Sequence, residues 1–235
     1  HPEPTSFCGA LAAAATEVVR AAGHEAELSD LHAQDFNPAA GRHDFTSVAE
    51  PRRFHYQTEQ LHASANHGFA PEIAREQARL AEAGLLILVF PLWWGGVPAM
   101  LKGWFDRVCA YGFAYADGRR FDTGFFRGRD ALMAVTTGGT AERFSADGVY
   151  GEMRHVLHGA KHCMLEYLGF EVPEPFVAYA APRVDAASRE AYLLAWRARV
   201  GEAVTRAATR DAATLAATLA EEQSAALGNA GWQRA

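Results

Sequence analysis

Residues 85–107 read LLILVFPLWWGGVPAMLKGWFDR, and this stretch decides the fold. Leu85 to Phe90 is an unbroken apolar run, as expected for a strand covered on both faces of a parallel sheet. Pro91-Leu-Trp-Trp-Gly-Gly96 ends it with exposed aromatics and bare backbone. Pro98 then sits in the first turn of a helix whose apolar residues, Met100, Leu101, Trp104, Phe105, Val108 and Cys109, recur in adjacent helical pairs. A second strand, Ala131 to Thr137, ends in Thr136-Thr-Gly-Gly139. An open α/β sheet binds its ligand at such strand ends.

The same alternation runs outward from this stretch. Ser6 to Ala22 has a helical pattern closed by Gly23, with Thr5 or Ser6 as its cap. His24 to Leu31 reads as a short strand, and Ala33 to Phe69 as a long irregular segment. Pro71 opens a helix that Gly84 closes. Tyr150 to Leu168 reads as a helix, Phe170 to Val177 as a strand, and Asp185 to about Ala208 as a closing helix. The expected architecture is a doubly wound parallel sheet with helices on both faces. Such a fold needs a strand before its first helix, and the chain begins where that strand should end, so the first strand is expected to be missing by truncation. One domain over residues 1–208 is expected, followed by an alanine- and threonine-rich tail, 209–235, that is helical or frayed.

Composition narrows the function. The chain has 235 residues, 49% of them apolar and 21% charged, with a formal charge of −6. The acidic balance argues against nucleic acid, which demands a basic face. No apolar run approaches the ~20 residues of a membrane span. No signal peptide is visible after His1-Pro2. Cys8, Cys109 and Cys163 are widely spaced, odd in number and without a C-x-x-C pair, so reduced thiols in a cytoplasmic protein are expected. No G-x-G-x-x-G, G-x-S-x-G or P-loop pattern is present. His155, His158, His162 and Glu166 share one side of a helix, but a rise of ~1.5 Å per residue spreads them over about 16 Å, too far for one ion. At most His158 and His162 could share a metal, and no metal site is assigned.

Two strand ends facing one crevice suit a flat aromatic ligand with a polar edge, and a flavin is the candidate. The opening segment around Thr5, Ser6 and Phe7 offers helix amides and hydroxyls as a phosphate seat, or simply a helix cap. Backbone amides in Pro91–Gly96 can reach the edge of an isoalloxazine while Trp94 lines the ring; a core-capping turn is the rival reading, more credible for Trp93 than for both tryptophans. The glycines of Thr136-Thr137-Gly138-Gly139 let donors approach the pyrimidine edge, where charge accumulates on reduction. A plain glycine turn is the alternative there.

Together these residues resemble the flavodoxin-like NAD(P)H:quinone oxidoreductases, the DT-diaphorase family and its bacterial relatives. The resemblance covers roughly His1 to Val200. It is densest in FNP from Phe36, FPLWWGGVPAMLKGWFDRV from Phe90, GFAY from Gly112, TTGG from Thr136 and GFEVPEP from Gly169. It implies bound FAD, or FMN as in some relatives. It also implies NADH or NADPH as donor, ping-pong hydride transfer through flavin N5 to a quinone, and a homodimer with sites at the subunit interface. By position, His1, Thr5, Phe7 and Cys8 match phosphate and adenosine contacts. His55, Asp106 and Arg189 match further cofactor-side positions. Pro91, Leu92, Trp93, Trp94 and Gly95 match the isoalloxazine loop, and Thr136 to Gly139 the pyrimidine loop. Phe113 and Tyr115 belong to the substrate-side opening, with Trp94 and Tyr150.

Two departures stand out. Mammalian relatives carry a Tyr and a His after TTGG, and here those positions hold Phe144 and Tyr150. Phenylalanine has no proton to give, whereas Tyr150 keeps an O–H donor. The amides of Gly138 and Gly139 are therefore expected to carry most of the charge stabilisation, with Tyr150 assisting. Trp93-Trp94-Gly95 also moves aromatic bulk by one position, so acceptor preference does not transfer. Two rival classes share the fold: a flavin-binding regulatory subunit of a potassium-efflux transporter, and a flavodoxin-like electron carrier.

Overall fold

The computed structural model describes residues 1–228. Strand β1 (Leu85–Pro91) pairs in parallel with β2 (Asp130–Thr136), from Leu85 opposite Asp130 to Pro91 opposite Thr136. β3 (Phe176–Ala178) joins β2 through Ala134 to Thr136. Among the described residues the sheet order is β1-β2-β3. Side chains alternate between two cores, as the period-2 pleat requires. Ile87, Val89, Leu132 and Ala134 face one, and Leu88, Phe90, Met133 and Val135 face the other.

Helices α1 (Phe7–Ala21) and α7 (Ala186–Ala207) cover the first face. Trp196 is fully buried between them, and its indole N–H donates to the Leu11 carbonyl at 2.9 Å. On the other face lie α2 (Tyr56–Asn66), α3 (Pro71–Glu82) and α4 (Ala99–Val108). Gly103 of α4 allows contact with the backbone of Pro38, whose carbonyl oxygen would lie 2.2 Å from an added Cβ.

The long segment before α3 is held by a buried ion pair. Arg107 and Asp44 are both fully buried, joined through Nε at 2.9 Å and Nη2 at 2.7 Å. Arg107 also donates to the Asn37 carbonyl and to Glu72, and the Tyr56 hydroxyl donates to Asp44. Removing Arg107 would leave the buried Asp44 carboxylate without its guanidinium, a loss of ~3–5 kcal/mol, whereas removal of Asp44 would leave Arg107 the partly exposed Glu72.

Four sequence expectations change here. His24 to Leu31 forms no strand and lies mostly exposed, because no neighbouring strand among the described residues offers it a ladder. The segment expected to be irregular contains α2. This helix lacks an apolar stripe because two of its buried residues, Glu59 and Gln60, bond loop backbone. Glu59 accepts from Ala49 N–H at 2.7 Å, and Gln60 accepts from Tyr111 N–H at 3.2 Å.

The expected helix from Tyr150 starts only at Met153, after Gly151 at φ +70°. It runs as α5 (Met153–Val156), α6 (His158–Ala160) and a π-helical turn, Lys161–Glu166. The strand expected from Phe170 is reduced to Phe176–Ala178 and an isolated bridge between Glu171 and Asp130. Pro173 and Pro175 remove the ladder donors between them.

Helix α8 (Ala212–Gly228) docks rather than frays. Leu219 is 2% exposed in the main core, Glu222 pairs with Arg119 and Arg127, and Gln223 donates to the Phe113 carbonyl at 2.6 Å. Residues 229–235, the end of the expected tail, lie outside the described part.

The α1–α7 contact predicts a graded response to substitution. Trp196→Phe keeps most of the packing and loses one hydrogen bond, about 1 kcal/mol. Trp196→Ala is expected to lose ~3–5 kcal/mol. Urea unfolding with equal m-values tests this, and equal stabilities for both variants would refute it.

Candidate active site

A crevice of about 910 Å³ opens beside the C-terminal ends of β1 and β2, against the start of α1 and the first turns of α7. At one end α1 presents its N-terminus. Ser6 caps it by accepting from Gly9 N–H at 3.2 Å. The amides of Phe7 and Cys8 find no acceptor among the described residues and stay available to an anion. Thr5 is committed differently: its N–H and hydroxyl both donate to the Glu3 carboxylate, at 2.9 and 2.6 Å, which draws the Glu3 carboxyl below its usual range. Cap and anion seat therefore coexist, with Ser6 as the cap.

At the other end, the β1 loop turns back on itself. Trp93 and Gly96 exchange backbone hydrogen bonds at 3.1 and 3.0 Å around Trp94 (φ +51°) and Gly95 (φ +72°). Two successive positive φ values are those of a type I′ turn, which favours glycine or asparagine. Trp94 is thus held in a costly conformation, with its indole fully in solvent at 107% relative exposure. Trp94 and Gly95 are not part of the crevice lining, which this loop reaches through Pro91, Leu92 and Trp93, and a backbone outlier next to such a wall is a candidate for function. The loop is pinned to β2 by Leu92 N–H donating to the Thr136 carbonyl at 2.8 Å.

Between the two ends, the Cys8 thiol and Thr136 hydroxyl meet at 3.2 Å, tying the first turn of α1 to the end of β2. Burial pushes the Cys8 thiol above its ordinary value, and the Thr136 contact only partly offsets this. Cys8 is therefore a packing group at neutral pH.

The crevice gathers many of the residues expected from sequence. His1, Thr5, Ser6, Phe7 and Cys8 line it, as do Pro91, Leu92 and Trp93, then Thr136, Thr137 and Gly138, and Arg189. Gly139 stands one residue behind, where an added Cβ would lie 2.9 Å from the Phe144 ring. Phe144 itself stacks on Tyr150 at 4.9 Å, and neither ring is part of the crevice lining.

Other expected residues lie off the crevice lining. His55 caps α2 through Thr58, and Asp106 pairs with Lys102 at 2.5 Å on α4. Phe113 and Tyr115 sit in a separate aromatic cluster, Tyr115 against Tyr111 and Tyr167 at 5.3 and 5.7 Å. His162 stacks on His158 and bonds Glu166 at 2.7 Å; among the described residues no group of three or more such side chains could hold a metal ion.

Sequence reasoning missed the α7 wall, where Ala181, Pro182, Ala186, Glu190 and Leu193 line the crevice. Small residues at a helix start carry no chemical signature, and only the packing of α7 on α1 brings them there.

Comparison with known proteins gives the family. A family model described as a flavodoxin-like fold matches residues 1–200. The ribosyldihydronicotinamide dehydrogenase [quinone] of Pongo abelii is 39% identical over 85% of this chain and 87% of its own. The NAD(P)H dehydrogenase [quinone] 1 of Cavia porcellus is 38% identical over 85% and 73%. The chain belongs to this flavodoxin-like family of quinone oxidoreductases. Among solved structures, a candidate quinone reductase from Klebsiella pneumoniae superposes with a TM-score of 0.80 at 36% identity, covering 85% of this chain and 80% of that one. The NAD(P)H:quinone oxidoreductase of Methanothermobacter marburgensis gives 0.64 at 27%, over 86% and 90%.

The thiols offer a direct check of the crevice. Cys163 is exposed, while Cys8 and Cys109 are buried with thiols raised by burial, so less of each is thiolate at pH 8. Iodoacetamide labelling followed by mass spectrometry should mark Cys163 first. Cys8 should follow slowly and become slower still when the crevice is filled. Equal labelling of Cys8 and Cys163 would contradict this placement.

Proposed function

We propose that the chain is a flavin-dependent oxidoreductase that takes electrons from a dihydronicotinamide and passes them to a quinone. One observation carries this reading. A single crevice joins a helix N-terminus suited to phosphate with two strand-end loops suited to a flat ring, and it presents no nucleophile–base pair. Bound there, a flavin would supply the two-electron chemistry that no side chain of this set can.

The protein's own task is to seat and expose. The Phe7 and Cys8 amides and the positive end of α1 hold phosphate. Leu92, Trp93 and Thr136 set the ring plane at the strand ends, and the amides of Gly138 and Gly139 face its polar edge. Tyr150 adds an O–H at the mouth. Trp94 provides an exposed aromatic surface on which donor and acceptor stack in turn, a ping-pong order that suits one shared opening.

The dinucleotide FAD is the preferred cofactor. The crevice runs on past the phosphate seat to Ala186, Arg189 and Leu193, and its volume is that of a site for a large ligand. The donor is given as a dihydronicotinamide because the two mammalian relatives are named for different ones, ribosyldihydronicotinamide and NAD(P)H.

A homodimer completes the proposal. Trp94, Val149 (79% exposed) and Tyr150 (54%) leave exposed apolar surface outside the crevice lining, and Phe113 and Tyr115 are likewise not part of that lining. A second copy would bring its Phe113 and Tyr115 to the crevice mouth. Three free cysteines suit a reducing, cytoplasmic setting, and no described helix is long and apolar enough to cross a membrane. A regulatory subunit or electron carrier would have less use for the strained, exposed Trp94 than an enzyme that stacks two substrates.

Reconstitution tests this directly. The purified chain should take up FAD more tightly than FMN and bleach when given NADH, NADPH or the ribosyl donor. It should recolour with a quinone. A chain that remains colourless after reconstitution overturns the reading. Trp94→Ala should raise the quinone KM about threefold to tenfold, the scale of one lost aromatic contact, while flavin affinity stays within twofold. An unchanged KM would remove Trp94 from the acceptor site.

A further inference from the structure

The loop after β2 has all of its carbonyls engaged and its glycine amides unengaged. The Thr137 carbonyl accepts from Ala181 N–H at 3.0 Å. The Gly139 carbonyl accepts from Ala180 N–H at 2.8 Å and from the Thr137 hydroxyl at 2.7 Å. The Gly138 carbonyl accepts from the guanidinium of Arg183. The N–H groups of Gly138 and Gly139 donate to nothing among the described residues. Every acceptor is thus anchored by one short segment, the turn that leads from β3 into α7.

That turn is fixed by hydrogen bonds of its own. Arg183 N–H and Val184 N–H both donate to the Ala180 carbonyl, at 2.7 and 3.1 Å. Ala180 sits at φ +49°, a left-handed conformation disfavoured for alanine. The result is a guanidinium that reaches 45 residues back in sequence to one peptide oxygen. Arg183 is exposed, and its guanidinium bonds the Gly138 carbonyl and forms no ion pair with a carboxylate among the described residues. Sequence inspection did not single it out.

The Gly138 carbonyl and the Gly139 N–H belong to the same peptide unit. A cation on the oxygen withdraws density from the nitrogen and makes the N–H a stronger donor, as in any hydrogen-bond chain. Transfer of two electrons and one proton from a dihydronicotinamide leaves the donor as a cationic pyridinium and one net negative charge on the group that receives them. A strengthened donor at that group's polar edge favours the reduced state over the oxidised one.

We propose that Arg183 is a positioning and polarising residue of the site, acting through the Gly138–Gly139 peptide to favour the reduced form of a bound flavin. It takes over charge stabilisation where Phe144 leaves no side-chain donor. The proposal rests on the flavin reading given above.

The test is the midpoint potential of the bound flavin, with flavin affinity measured separately in the oxidised and reduced states. Arg183→Gln should weaken the preference for the reduced form about tenfold, ~30 mV to more negative potential for a two-electron couple. Oxidised-state affinity should change little. Arg183→Lys, which can still donate to the same carbonyl, should recover much of the shift. Arg143→Gln removes a second cation whose side chain also flanks Gly139 but does not bond the Gly138 carbonyl, and should shift the potential less.

An unchanged potential in Arg183→Gln, or an equal shift in Arg143→Gln, overturns the proposal and leaves the flavin reading intact. Equal losses of affinity in both redox states would show a merely structural role and also overturn it. A wild-type chain that binds no flavin overturns the functional reading, and this inference with it.

Discussion

The structure depends on the burial of β2 on both faces. All seven residues from Asp130 to Thr136 are buried, with Leu132 and Ala134 against α1 and α7, and Met133 and Val135 against the other core. A strand so enclosed cannot slip by one residue without exchanging its two faces. Its C-terminal end is therefore a fixed point. From that point Thr136 holds the β1 loop through its carbonyl and the start of α1 through its hydroxyl. The crevice is what these three anchored segments leave between them.

Rigid anchoring at the strand ends permits strain just beyond them. Trp94 and Ala180, both in left-handed backbone, occupy the β1 loop and the turn from β3 into α7. Neither would persist in a freely hinged loop, because the cost of each, about 1–3 kcal/mol, must be outweighed by its surroundings. The exchanged hydrogen bonds of Trp93 with Gly96 hold the first, and the paired donors to the Ala180 carbonyl hold the second. Stability accumulated in the two cores is thereby converted into side-chain placement at the site.

Polar burial on the far face serves the same end by other means. Arg107 with Asp44, Glu59 with the 49–50 backbone, and Arg129 on the carbonyls of Leu80, Ala81 and Ala83 all fix loops to helices. These contacts join residues 9 to 63 positions apart and leave no periodic trace in the chain. For that reason α2 was not visible in the sequence, although its N-cap and its buried Leu61 and Ala63 are regular enough in space.

The sequence by itself determined the parallel sheet, the helices α1, α3, α4 and α7, and the two loops that flank the crevice. Each of these is written locally: an apolar run, a 3.6-residue stripe, a capping serine or proline, a glycine pair. The prolines that shorten β3 were equally local, and reading Phe170 to Val177 as one strand neglected the donors they remove. Only the tertiary structure decided the rest. It chose Ser6 over Thr5 as the cap, brought the small residues of α7 to the crevice wall, docked α8 through Leu219 and Glu222, and laid Arg183 on the Gly138 carbonyl. The physical reason is that a side chain's partner across 45 or 185 residues is set by how two buried faces pack, and local sequence holds no record of that distance.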